Sequence, residues 1–285
     1  MKLLRVGTVG TERPAVLDEE GVLRDLSPVV PDVDGALLAD DAALARVRAA
    51  AATGDLRPLD PSGLRIGAPV GRIGKIVCIG LNYHDHARET GAPVPEEPVV
   101  FLKAPDTVVG PYDTVLVPRG AGKTDWEIEL AVVIGRTARY LETDEQARAV
   151  IAGYTIAHDV TERAFQLERG GQWAKGKNCE TFGPLGPWLV TADDVPDPQD
   201  LGLRLRVNGR LRQDGTTADQ IFPVARALRY LSRFMTLHPG DVVSTGTPAG
   251  VAMGQPEPKP FLRAGDVVEL EIDGLGNQRQ EFQAA

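Results

Sequence analysis

Short apolar runs bounded by Gly, Pro, Asn and Asp recur along the chain and predict many strands and few helices. Leu3 to Val9 and Ala15 to Leu23 read as a strand pair around a Gly-Thr-Glu-Arg-Pro turn. Lys75 to Leu81, Pro98 to Lys103, Gly153 to Ala157, Leu201 to Asn208, Asp241 to Thr245 and Val267 to Ile272 read as further strands, and another lies within 106–118. Asn208-Gly209 supplies the left-handed turn residues of a hairpin. Lys123 to Gly135 reads as one continuous strand. Four longer segments read as helices. Ala36 to Ala52 is rich in Ala and Leu. A capping box of Thr143 and Gln146 opens a helix to about Ile151, with Gly153 as its stop signal. Val160 to Glu168 is a third. Ile221 to Leu237 carries Pro223 in its first turn and Val224, Leu228, Leu231 and Met235 at helical spacing. The Pro- and Gly-rich stretch 54–63 breaks regularity and predicts a boundary near residue 70. It separates a small N-terminal domain, 1–70, that packs against or partly covers a site from a larger one, 71–285.

Lys123 to Gly135 also holds an anomaly. Positions two apart share a face of a strand, so Glu127 and Glu129 project side by side, with Trp126, Ile128 and Leu130 on the core face. Two buried like charges need something positive between them, and a cation is the simplest remedy. An edge strand with its glutamates in water is the alternative. The strand after Gly153 ends in His158-Asp159, where Asp159 is either a third carboxylate for the same ion or the cap of the next helix. Arg163 and Gln166, three apart on that helix, either project toward the same place or lie on the surface. His86 and Glu89 share a helical face, as a carboxylate-oriented general base does, and as a structural histidine does equally. His84 alternates away toward solvent. Gly91 to Pro98, with three prolines, is a stiff loop placed to act as a lid or simply to connect. After the strand Asp241 to Thr245, the run Gly246-Thr247-Pro248-Ala249-Gly250 lets backbone N–H groups approach an anion, or forms an ordinary tight turn. His238-Pro239-Gly240 ends the preceding helix.

Composition narrows the chemistry. A formal net charge of -9 disfavours nucleic acid, because phosphate binding relies on excess Lys and Arg. No apolar run is long enough to cross a bilayer and the first residues lack a signal-peptide pattern, so a cytoplasmic setting is expected. Two cysteines, Cys78 and Cys179, argue against a disulfide framework or a cysteine zinc site. Gly171 to Lys177 nearly matches a phosphate-binding loop, but Asn178 stands where Ser or Thr would hold the metal and a polar helix precedes it, so nucleotide binding is not expected. All-oxygen ligation by three carboxylates suits Mg²⁺, with Mn²⁺ or Ca²⁺ open.

Taken in order, the Asn82-Tyr83-His84-Asp85-His86-Ala87-Arg88-Glu89 block, Glu127-Ile128-Glu129, Asp159, Lys177 and Thr245-Gly246-Thr247-Pro248 resemble the fumarylacetoacetate hydrolase superfamily over roughly residues 70–285. The resemblance implies an α+β, mostly β fold, with a mixed β-roll catalytic domain and a small N-terminal α/β domain. It assigns His86, Glu89 and Lys177 to catalysis and Glu127, Glu129 and Asp159 to the metal. Tyr83, Arg163, Gln166, Gly246 and Thr247 are then expected to bind substrate, a small oxo acid, in a homodimer. Asn178-Cys179-Glu180-Thr181-Phe182 departs from the Ser-Phe-Asp-Thr-Phe that many relatives carry after the lysine. The start of the chain, the Lys123–Leu130 phrase and the Gly171–Lys177 segment look closest to a bacterial branch. That branch includes hydrolases of 2,4-diketo-3-deoxy-L-rhamnonate and so-called ureidoglycolate lyases. The expected reaction is metal-dependent hydrolysis of a C–C bond in a 2,4-dioxo acid, giving pyruvate. Lyase, decarboxylase, hydratase or isomerase chemistry through the same enolate is the alternative.

Overall fold

The computed structural model describes all 285 residues. Its central element is the strand Ile128–Ile134, every residue of which is buried. It lies between Ile151–His158, antiparallel to it, and Val242–Ser244, also antiparallel. Ile76–Gly80 adds parallel to Val242–Ser244 and Val99–Lys103 closes that edge. On the other side Gly183–Thr191 leads to Lys2–Val6, Arg13–Leu17 and Leu23–Asp25. The N-terminal strands thus continue the ten-stranded mixed sheet, with Leu3 opposite Leu189. A second, five-stranded sheet runs Arg210–Thr216, Gly202–Val207, Val267–Ile272, Gly276–Ala284, Val115–Val117. The fold is α+β and mostly β.

Burial on both faces explains why the central strand reads as an apolar run and not as strict alternation. Ile128, Leu130, Val132 and Ile134 join Trp126 in a core shared with Leu203, Leu205, Val268 and Leu270 of the second sheet. Ala131 and Val133 point the other way, into a core with Leu37, Leu38 and Val47 of the N-terminal helices. Glu127 and Glu129 are on this odd-numbered face, beyond the end of its apolar stretch. No helix is long and apolar enough to cross a membrane.

The elements differ from expectation in five places, each with a local cause. The predicted strand 123–135 is two pieces, Thr124–Asp125 and Ile128–Ile134. Between them Trp126 turns its indole N–H to the Gly250 carbonyl at 3.1 Å. The predicted helix 36–52 is also two, Gly35–Leu38 and Asp41–Thr53, because Asp34 and Asp40 each cap a separate first turn. The capping box forms, but its helix is only Asp144–Ala149 and Gly153 does not stop it. Gly153 lies inside a strand, where a Cβ would collide with the Val190 carbonyl. Val160 to Glu168 is a two-residue strand, Thr161–Glu162, followed by the helix Arg163–Leu167. Glu162, and not Asp159, caps that helix, accepting from the Ala164 N–H at 3.1 Å. The helix predicted for 221–237 ends at Leu231. Ser232 takes its hydroxyl to the Arg229 carbonyl and accepts the Leu141 N–H, turning the chain back toward Ala138.

Candidate metal centre and active site

Strand register assembles the carboxylates. Ala157 pairs with Glu129 and His158 with Ile128, so Asp159, one residue past the strand end, falls beside Glu127. The Asp159 N–H donates to the Glu127 carbonyl at 3.0 Å. Ligand oxygens of Glu127, Glu129 and Asp159 lie within 4.8 Å of one another, and all three residues are buried. A six-coordinate Mg²⁺, Mn²⁺ or Ca²⁺ places its ligand oxygens roughly 3–5 Å apart, so the spacing and the all-oxygen donor set fit a hard divalent ion. The edge-strand alternative fails, because Glu127 is 5% and Glu129 3% exposed.

Each carboxylate is also held by the protein. Arg163 donates through Nη2 to Glu127 at 2.6 Å, through Nε to Asp125 at 2.8 Å and through Nη1 to Gln166 at 3.1 Å. Lys177 bridges Glu127 and Asp159. Lys103 Nζ reaches Asp159 at 2.6 Å and the Val160 carbonyl at 3.2 Å. Ser244 Oγ and the Gly246 N–H donate to Glu129 at 2.5 and 2.9 Å. Within this cluster four carboxylates (Asp125, Glu127, Glu129, Asp159) face three cations (Lys103, Arg163, Lys177). Glu129 absorbs the imbalance. Burial first, then the neighbouring Asp159 and Glu127 charges, push its pKa up to about 8. Burial acts upward on Glu127 too, but Arg163 and Lys177 outweigh it and hold that carboxyl below the ordinary range. Lys177 is the mirror case: burial opposes its charge, yet Asp159 and Glu127 keep it above the ordinary lysine range.

The second half of the site comes from the helix His84–Thr90. Asn82 staples its entry, donating to the Phe222 and Thr245 carbonyls and accepting the Phe222 N–H. Asp219 accepts the Asp85 N–H at 2.8 Å. His86 Nδ1 lies 3.4 Å from Glu89, the long end of a hydrogen bond, which leaves Nε2 as the free ring nitrogen. Glu89 is fixed in turn by the Gly250 N–H, 3.0 Å from both its oxygens.

A cavity of about 190 Å³ joins the two halves. His86, Glu127, Glu129, Asp159, Arg163, Gln166, Lys177, Gly246 and Thr247 line it, so nine of the residues singled out in the sequence share one space. Glu89 sits behind His86 and does not line it. His84 is exposed outside. Tyr83 departs from expectation: fully buried, with its hydroxyl 3.3 Å from Gln220, it does not reach the cavity. Gly246 departs in part. Its N–H does meet an anion, but the anion is Glu129. Its φ of +94° and the 2.8 Å at which a Cβ would meet Asn82 explain the glycine. Thr247 Oγ1 donates to the Ile128 carbonyl and accepts from Gln213, which ties the turn to the central strand. Asn178 accepts the Ala104 N–H and binds the helix Ala174–Lys177 to the strand Val99–Lys103.

Sequence reasoning missed Lys103, Asp125 and Ser244. Asp125 carried a signal, since 125, 127 and 129 continue one alternation. Lys103 reads only as the last residue of a strand and Ser244 as part of another.

The chain is similar to known proteins along its whole length. The family model described as Fumarylacetoacetate (FAA) hydrolase C-terminal matches residues 75–283. A protein of Burkholderia ambifaria (strain MC40-6), provisionally named a hydrolase, is 54% identical, with 100% of each chain covered. The solved structure of fumarylacetoacetate hydrolase from psychrophilic Exiguobacterium antarcticum superposes with a TM-score of 0.86 at 34% identity, covering 100% of both chains. Maleylpyruvate hydrolase from Sphingobium sp. SYK-6, solved with manganese(II) ion and pyruvate, gives 0.83 at 28% identity, again over 100% of both.

Proposed function

From the premise that the chain belongs to the fumarylacetoacetate hydrolase family, we propose that it is a Mg²⁺-dependent hydrolase of 2,4-dioxo acids. It would cleave the C3–C4 bond to give pyruvate and the acid of the remaining tail. The observation that carries this reading is the buried Glu127–Glu129–Asp159 triad sharing one cavity with the Glu89-backed His86. When bound, the divalent ion supplies a hold on the carboxylate and 2-oxo oxygens and stabilises negative charge developing there. His86 Nε2 takes a proton from water as hydroxide adds to C4, with Glu89 orienting the ring. Collapse of that adduct breaks C3–C4 and leaves the electron pair on the pyruvate unit as an enolate. The proton held by His86 returns to C3. Water has then contributed OH to one product and H to the other. Lys177 adds a fixed positive charge beside the developing anion, in a site where solvent does not screen it. Gln166 accepts from Arg163 and keeps its amide N–H groups for a substrate oxygen. The homodimer that the family resemblance implies is tested by light scattering on the purified protein.

The test of the reaction is pyruvate release from a panel of 2,4-dioxo acids with Mg²⁺ and with EDTA. The expected result is metal-dependent pyruvate in equal amount to the second acid. Metal-dependent consumption without pyruvate, giving an isomer or CO₂, would move the reading to isomerase or decarboxylase. Undiminished turnover in EDTA would remove the metal.

A further inference from the structure

The cavity also has an apolar lining that the reaction does not use. Leu81, Phe101, Leu167, Trp173 and Met253 contribute to it alongside the charged residues. The junction is direct: Lys177 Nζ lies 4.9 Å above the Phe101 ring, and Phe101 meets Trp173 edge-on at 5.5 Å. Trp173 in turn packs so close to Gly80 that a Cβ there would come within 2.7 Å of its ring. Leu81 holds φ +53°, an unusual backbone for a non-glycine residue, and lines the space from the end of the strand Ile76–Gly80. Leu167 is 46% exposed, a large apolar side chain without a protein partner over much of its surface.

Polar partners are missing there. The only Lys and Arg on the lining are Lys177 and Arg163, and carboxylates or Gln166 already engage both. Thr90 is the one hydroxyl outside the metal end, and it donates to the His86 and Ala87 carbonyls. Where the tail lies against Phe101 and Trp173, a carboxylate would be desolvated without a counter-charge, and tail hydroxyls would lose hydrogen bonds to water.

We propose that the substrate tail beyond C4 is an uncharged hydrocarbon, recognised by the Leu81–Phe101–Leu167–Trp173–Met253 wall, and that this wall rejects dicarboxylates and polyhydroxylated acids. The proposal rests on the 2,4-dioxo-acid reading above. It also sets the wall against the deoxyrhamnonate-type tail that the sequence resemblance suggests.

The test compares 2,4-dioxoheptanoate with 2,4-dioxoheptanedioate, equal in length and differing only in the terminal group, and with a 2,4-diketo-3-deoxy sugar acid. With Mg²⁺ present, kcat/KM is expected to favour the methyl-ended acid by about a hundredfold or more. Leu167→Arg, at the exposed end of the wall, is expected to shift that ratio toward the diacid by at least about tenfold. A second readout avoids turnover. Quenching of Trp173 fluorescence by 2-oxohexanoate is expected at concentrations well below those needed for 2-oxoadipate, and Trp173→Phe is expected to abolish the difference while Trp126 and Trp188 remain. Equal kcat/KM for the methyl-ended acid and the diacid, or preference for the sugar acid, overturns the wall and leaves the C–C hydrolase intact. Cleavage of none of the three overturns the hydrolase, and the quenching preference then still decides the wall.

Discussion

The carboxylate floor and the His86–Glu89 arm face each other across one cavity but are built in opposite ways. The floor hangs on central strands. Backbone register sets Glu129 against Ala157 and Asp159 beside Glu127, and every carboxylate has at least two protein partners. The arm stands on a helix of seven residues, His84–Thr90, whose position depends on loop contacts through Asn82, Asp219 and Gly250. Its own key contact, His86 to Glu89, is a loose 3.4 Å. Rigid strands thus fix the carboxylates that would hold an ion, whereas the proposed base is left able to tighten on a substrate.

Mutations should separate the two regions. Glu127→Gln or Asp159→Asn is expected to produce the largest effect. Metal affinity measured by calorimetry should fall by more than the roughly 10–100-fold seen for outer partners of a ligand, and turnover should fall below detection. Retained metal-dependent turnover in both variants would dissolve the floor as a metal site. His86→Ala is expected to leave metal affinity within about twofold and to slow turnover by about 10²–10⁴. Loss of metal binding in this variant would mean that arm and floor are one unit. Next is Lys103→Met, which removes one cation from Asp159 but no ligand. Affinity is expected to drop about 10–100-fold, with thermal stability also lowered because the buried Asp159 keeps only one of its two cationic partners. Unchanged affinity would reduce Lys103 to packing.

What the sequence made legible follows the same division. Glu127 and Glu129 stood out because a period of two puts both on one face, and an apolar run offers them no other solvent. Asp159 stood out because it ends a buried strand. The His86–Glu89 pair needed only a helical turn. Lys103 escaped because charge at a strand end ordinarily reaches water, and only the tertiary position of Asp159 shows why this one does not. Tyr83 was assigned through the resemblance, and a matching residue type says nothing about which way its ring turns at the helix entry. The helix 221–237 was overextended because Met235 keeps the apolar spacing that the Ser232 turn interrupts. Periodicity reports burial; it does not report where side-chain hydrogen bonds end an element.

The smallest effect sharpens the floor itself. Glu129 titrates at about 8 in the protein without an ion, because burial and the Asp159 and Glu127 charges favour its neutral form. The folded state therefore holds a proton that the unfolded chain, at the ordinary glutamate value of 4.5, has lost. From this group, stability is fully present below pH 4.5, declines as pH rises toward 8 and is level above it. A divalent ion needs the ionised carboxylate, so binding at pH 7 must expel the proton. Calorimetry of Mg²⁺ or Mn²⁺ in two buffers of different ionisation enthalpy is expected to show release approaching one proton at pH 7 and almost none at pH 9. Apparent affinity should rise by at most about tenfold per pH unit up to 8, then level off. Thermal stability in EDTA should fall over the same interval, and Glu129→Gln should remove both trends. Absence of proton release at pH 7 would mean that Glu129 is already ionised. Four carboxylate charges would then face three cations without an ion, and the account of Glu129 as the group that absorbs the imbalance would fail even if the geometric case for a metal stood.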